Sequence, residues 1–262
     1  MSDSSLRDLW RAGDTTLGAW LSVPSAVTAE ATARVGFDYV CIDTQHGAIE
    51  YSDAVSMIQS IAFGGSRPIV RVPWNEPGII GKMLDAGAQG IIIPMVNSVA
   101  EAEAAVRACR YIAHGGARSW GPSLAAPRVD GHYLEWAEQH VACIPMIETA
   151  RAVDALDDIL AVPGIDAVYV GPADLSLTLG LPPQNNDGES AFDDALTAVV
   201  VACERAGVVA GIHASGALTP SRRATGFGMI TVATELLALK AGLSAELAAS
   251  SDTGAVSTSN LY

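Results

Sequence analysis

Lysine is almost missing from this 262-residue chain: Lys82 and Lys240 are the only two. Both fall in stretches with helical period, so neither is expected inside a pocket, where a Schiff base with a carbonyl substrate would form. Positive charge is short overall, 15 basic residues against 29 acidic ones and a formal net charge of −14. That balance opposes binding to nucleic acid or to an anionic membrane surface, and an anionic substrate must find a local positive centre. Long apolar runs are also lacking. Half the residues are hydrophobic, yet every run stops well short of the roughly 20 residues a membrane span needs. The first residues, MSDSSLRDLWRAGD, carry charge where a signal peptide would be apolar, so a soluble cytoplasmic protein is expected. The four cysteines, Cys41, Cys109, Cys143 and Cys203, show no CxxC spacing and sit in apolar segments. They read as buried free thiols that pack as small hydrophobes.

Short apolar runs rich in Val and Ile recur, each followed by a helical pattern. The strand candidates are TLGAWLSV (16–23), YVCID (39–43), PIVRVP (68–73), GIIIPMV (90–96), CIPMIET (143–149), AVYVGP (167–172), VVAGIHA (208–214) and MITVAT (229–234). Helix candidates lie between them, among them SDAVSMIQSIAF, EPGIIGKMLDAG, VAEAEAAVRACRYI, ARAVDALDDILA, SAFDDALTAVVVACERAG and TELLALKAGLSAELAA. Continuous apolar strands alternating with helices imply a parallel sheet covered on both faces. Eight such units predict an α/β fold, a closed (β/α)8 TIM barrel forming one domain over residues 1–250, with a flexible tail at 251–262. Before the fifth strand the segment HGGARSWGPSLAAPRVDGHYLEWAEQH reads as a long functional loop plus an extra helix.

A buried strand such as FDYVCI has no use for the polar DTQH that follows unless its end opens on a site. In this fold the site lies at the C-terminal strand ends, and ionisable residues gather there: Asp43 and His46 after strand two, Arg71 in strand three, Glu148 at the end of strand five and Asp174 after strand six. Glu148 and Asp174 suit a hard divalent cation, Mg²⁺, Mn²⁺ or Co²⁺, leaving coordination positions for substrate. Arg71 offers a planar fork to a carboxylate or an enolate oxygen. His46 is the candidate base, with Asp43 expected to orient its imidazole. With no lysine at hand, the metal must act as the electron sink, and no nucleotide cofactor is expected.

The segments GAWLSVPS, GFDYVCIDTQHG, PIVRVPWNEP, IIIPMVNSVAEAEAAVRACRY, MIET and VYVGPADLSLTLG, in that order, resemble the HpcH/HpaI family of class II, metal-dependent pyruvate aldolases. The resemblance runs from about Leu17 to about residue 245. It implies a lyase that reversibly cleaves a 4-hydroxy-2-oxo acid to pyruvate and an aldehyde through a metal-bound pyruvate enolate. It assigns Glu148 and Asp174 to the metal, His46 and Arg71 to catalysis, and Gly171, Pro172, Ala173 and Asp174, with Trp20 and Met146, to substrate. Asp85, in the LDxG stretch, is implied to support the base. Since it precedes strand four, it would act only across a subunit contact. The family's dimers exchange their last helix and assemble into hexamers, so a homo-oligomer with a domain-swapped C-terminal helix is expected.

This chain departs from the family pattern in four places. Gln45 replaces the usual Glu, Met146 replaces Gln, and GARSWG stands for GxRGxG, placing Trp120 near the expected pocket mouth. His213, unusual for the family, reads as a hydrogen-bonded strand-end histidine rather than a catalytic one. Metal and base are unaffected; substrate identity is what these changes touch. An oxaloacetate decarboxylase or another C–C bond-forming enzyme would use the same enolate, and a non-catalytic binding barrel is the alternative from another class.

Overall fold

The computed structural model describes residues 4–250, so the expected flexible tail at 251–262 lies outside the described residues. Strands β1 (Thr16–Leu21), β2 (Tyr39–Asp43), β3 (Arg67–Arg71), β4 (Gly90–Ile93), β5 (Ala142–Ile147), β6 (Ala167–Val170), β7 (Val209–His213) and β8 (Met229–Thr234) form a closed barrel in sequence order. All pairings are parallel, and β8 returns to β1. The (β/α)8 expectation therefore holds. The strands are shorter than the apolar runs suggest, because residues such as Val72, Pro94 and Glu148 already belong to the loops that leave the barrel top.

Side-chain alternation sorts the core into two layers. Tyr39, Cys41, Ile69, Ile92, Ile144, Met146, Tyr169 and Met229 fill the barrel interior. Their neighbours, such as Val40, Ile42, Val70, Ile91 and Val168, face the surrounding helices. Helix α1 (Leu6–Arg11) closes the N-terminal end by inserting Leu6 into the interior cluster. The covering helices are α2 (Ala26–Ala33), α3 (Tyr51–Phe63), α4 (Pro77–Ala86), α5 (Val99–Cys109), α6 (Tyr133–His140), α7 (Ala150–Asp154), α8 (Leu156–Leu160), α9 (Pro172–Thr178), α10 (Ser190–Ala206) and α11 (Thr219–Thr225). The run ARAVDALDDILA, expected as one helix, breaks at Ala155 into α7 and α8.

The segment between α5 and β5 corrects an expectation. It leads from a helix into the start of a strand, so it lies at the N-terminal face of the barrel. There α6 meets α1 through the contact of His140 with Asp8, and Arg7 binds Asp166 at 2.7 Å. Trp120 belongs to this segment and packs on Tyr111 and Tyr133, not at the mouth of this chain's cavity. The last helix, α12 (Glu235–Ala249), contains no buried residue. Leu236, Leu239, Leu243 and Leu247 are 48–73 % exposed along it. All four cysteines are buried free thiols, as expected, and among the described residues no helix is long and apolar enough to cross a membrane.

Candidate active site

The interior alternation also aims the site. Asp43 lies two residues beyond Cys41, Arg71 two beyond Ile69, Glu148 two beyond Met146, Gly171 two beyond Tyr169 and His213 two beyond Gly211. Each continues the inward-facing row of its strand past the last layer of apolar side chains. Arg71, Glu148, Gly171 and His213 meet in a cavity of about 380 Å³ at the C-terminal end, and Asp43 lies just behind its lining. Of the expected residues, Trp20, His46, Arg71, Met146, Glu148, Gly171, Pro172, Ala173 and Asp174 line it.

Glu148 is 2 % exposed. Burial pushes its carboxyl up to about 7 and the Asp174 charge adds to this, while the Met95 N–H and Arg71 work the other way. The Met95 amide donates to Glu148 Oε1 at 2.8 Å, and Met95 adopts a left-handed φ of 57° to present it. The turn behind Met95 is fixed by Asn97, whose side-chain amide donates to the Met95 carbonyl at 2.8 Å. Glu148 Oε2 rests against Gly171, where a Cβ would come within 2.6 Å. Residue 171 therefore has to be glycine for the acid to occupy its place.

Two acidic groups, one held against its own charge by burial, suit an oxygen-seeking cation. Among the described residues no group of three or more His, Cys, Asp or Glu side chains gathers, so the protein would supply two ligands and leave the rest to water and substrate. The donor set fits Mg²⁺ or Mn²⁺ better than zinc.

Asp43 does not do what was expected of it. Its carboxylate accepts from Arg71 Nε at 2.9 Å and Nη2 at 2.6 Å, and from Trp20 Nε1 at 3.1 Å. It also accepts from the backbone N–H groups of Gln45 and His46, at 3.1 and 3.3 Å. It thus shapes the turn that carries His46 without reaching the imidazole. Burial opposes its ionisation, but the two Arg71 hydrogen bonds and the Arg71 charge hold its carboxyl below the usual range. His46 stands exposed on this turn. At Gly47 a Cβ would meet the Asp43 carbonyl at 2.3 Å, so the turn closes only on glycine.

Asp85 lies in α4 and is absent from this cavity, bound instead to Arg118 Nη2 at 2.6 Å at the opposite end of the barrel. The two lysines lie in α4 and α12, and neither lines the cavity. His213 lines it, edge-on to Trp20 with ring centroids 5.1 Å apart. Sequence reasoning missed Tyr169, Gln184, Asn185, Ser215 and Leu218 in the lining. Tyr169 reads as core, and the others sit in loops with no motif of their own; the one available signal was their place after strands six and seven.

Residues 16–236 match the family described as HpcH/HpaI aldolase/citrate lyase. The chain is 40 % identical over 239 residues to a hydroxypyruvate/pyruvate aldolase of Rhizorhabdus wittichii, covering 91 % of this chain and 95 % of that protein. It is 36 % identical over 213 residues to a 4-hydroxy-2-oxo-heptane-1,7-dioate aldolase of Klebsiella pneumoniae, covering 79 % and 80 %. A crystal structure of an HpcH/HpaI aldolase/citrate lyase family protein from Burkholderia cenocepacia superposes with a TM-score of 0.87 at 33 % identity, covering 94 % of this chain and 99 % of that one. With a family match over most of its length and relatives of this identity, the chain belongs to the HpcH/HpaI aldolase/citrate lyase family.

Proposed function

We propose that this protein is a divalent-metal-dependent lyase that reversibly cleaves a 4-hydroxy-2-oxo acid to pyruvate and an aldehyde. One observation carries the reading: two carboxylates, an arginine and an exposed histidine share one cavity at the C-terminal barrel end, and no lysine reaches it. Hydroxypyruvate joins pyruvate as a donor to test, because the Rhizorhabdus relative is named for both.

Glu148 and Asp174 would hold Mg²⁺, Mn²⁺ or Co²⁺, which when bound would supply Lewis-acid polarisation of the 2-oxo acid. Arg71 has two nitrogens facing Asp43, so Nη1 and the second hydrogen of Nη2 are the donors for the keto oxygen. That oxygen gains charge as the reaction proceeds. The first turn of α9, with N–H groups of Ala173 and Asp174 that have no partner inside the helix, would receive the substrate carboxylate. In cleavage, His46 takes the proton of the C4 hydroxyl, the C3–C4 bond breaks, and its electron pair passes to the enolate of pyruvate as the aldehyde leaves. A proton returned to C3 completes pyruvate. Trp20 and Met146 pack beside the donor. The reading includes a homo-oligomer built from swapped dimers, most simply a hexamer, in which α12 covers a neighbour. Asp85 would reach a cavity only from an adjacent copy.

Chelation should abolish cleavage, and Mg²⁺, Mn²⁺ or Co²⁺ should restore it. Full activity in excess chelator, or covalent trapping of pyruvate by borohydride, would overturn the reading.

A further inference from the structure

The lyase reading uses one part of the cavity and leaves another without a role. That second part is built by His213 at the end of β7, Gln184 and Asn185 in the loop after α9, and Ser215 after β7. The loop is constructed as a rigid support. Asn186 is 7 % exposed, and its amide donates to Ser176 Oγ at 2.7 Å and to the Pro182 and Gln184 carbonyls at 2.9 and 3.2 Å. Arg222, from α11 and 5 % exposed, donates through Nη2 to Asn185 Oδ1 and Asp187 Oδ1, each at 2.5 Å.

This support fixes the chemistry of the surface it carries. Since Arg222 occupies the oxygen of Asn185, the amide presents its NH₂ group elsewhere. The Gln184 backbone is tied down, while its side-chain amide makes no hydrogen bond among the described residues. The His213 ring nitrogens have distant partners only, Tyr169 OH at 3.4 Å and Thr234 Oγ1 at 3.5 Å, so neither is held by a short hydrogen bond and the ring can turn to a closer ligand. Burial, helped by the nearby Arg71 cation, pushes His213 down to about 4. At neutral pH its ring therefore has one donor and one acceptor. With the Ser215 hydroxyl, the surface is uncharged and rich in both donors and acceptors. Hydroxyl groups, themselves donor and acceptor, match it. A second carboxylate does not, because Arg71, the one arginine or lysine among the lining residues, is already paired with Asp43, and an unpaired anion pays for its desolvation.

We infer that His213, Gln184, Asn185 and Ser215 form the acceptor subsite and select a short, uncharged, hydroxyl-bearing aldehyde over an acid-ended one. The inference rests on the lyase reading, and two measurements separate them. Metal-dependent decarboxylation of oxaloacetate needs only the donor half of the site; its absence overturns the lyase reading itself. Aldol addition of pyruvate to glyceraldehyde and to succinic semialdehyde, compared as kcat/KM, tests the subsite. A preference of about 10-fold or more for glyceraldehyde is expected, as for a site whose polar groups need a hydroxyl partner. His213→Leu and Asn185→Ala should each reduce that ratio about 10-fold, and the ratio within one variant is insensitive to any loss of folded protein. A preference for succinic semialdehyde in the unaltered protein, or a ratio unchanged in both variants, overturns the inference.

Discussion

Asp43 and Arg71 are register partners on adjacent strands, and their side chains close a fork of two hydrogen bonds, 2.9 and 2.6 Å long, with 3 % and 11 % of the two side chains exposed. The guanidinium also lies over the Trp20 ring, 4.9 Å from its centroid. Arg71 is therefore oriented before any substrate arrives, which is the condition under which one donor is worth most to a transition state. Arg71→Lys keeps the charge and loses the fork, so turnover should fall roughly 10²-fold or more. Calorimetric titration with Mn²⁺ should show metal binding retained. Near-normal turnover would place Arg71 outside the chemistry. Asp43→Ala should cost about 3 kcal/mol in a urea melt, because it leaves a buried guanidinium unpaired.

His213 ties stability to acidity. Its folded value is pushed down to about 4 from an ordinary 6.5, so below 6.5 the unfolded chain takes up a proton that the folded chain refuses. This contribution is complete above pH 6.5 and is lost progressively between 6.5 and 4, on the order of 3 kcal/mol. His213→Gln should flatten that part of the stability profile. Equal slopes for the variant and the unaltered chain across this window would contradict the assignment.

Met95 holds its left-handed backbone in order to point an N–H at Glu148. A non-glycine residue there costs roughly 1–2 kcal/mol. Met95→Gly should consequently be neutral or stabilising by up to about 1 kcal/mol, since glycine's unfolded-state entropy offsets part of the relief. Met95→Val should destabilise by about 2 kcal/mol, because a branched Cβ fits that conformation poorly. Denaturant midpoints decide between these signs.

The leucines of α12 predict assembly. Leu239 and Leu243 are 55 % and 63 % exposed, and a row of this kind is expected to be covered by a second copy. Light scattering should give a multiple of 27.0 kDa, and Leu239→Glu with Leu243→Glu should yield an inactive monomer. A fully active monomer of the unaltered chain would refute both the assembly and any part for Asp85.

The sequence alone determined the barrel, since eight Val- and Ile-rich runs alternating with helical patterns can bury themselves only in a parallel sheet wrapped by helices. It also located His46, Arg71, Glu148 and Asp174, because polar residues that end buried strands are visible as interruptions of apolar runs. Tertiary structure decided what those residues touch. Asp43 is three positions from His46 in the chain, yet the β2–β3 register sets it beside Arg71, and its oxygens go to the guanidinium. The segment holding Trp120 looks functional by its length and glycine content, but it enters β5 from below, and chain direction through the sheet puts it at the far end from the cavity. Met95 and the Arg222–Asn185 support were invisible for the same reason: a backbone N–H aimed at an acid and an amide turned by an arginine 37 residues away exist only after the barrel has closed.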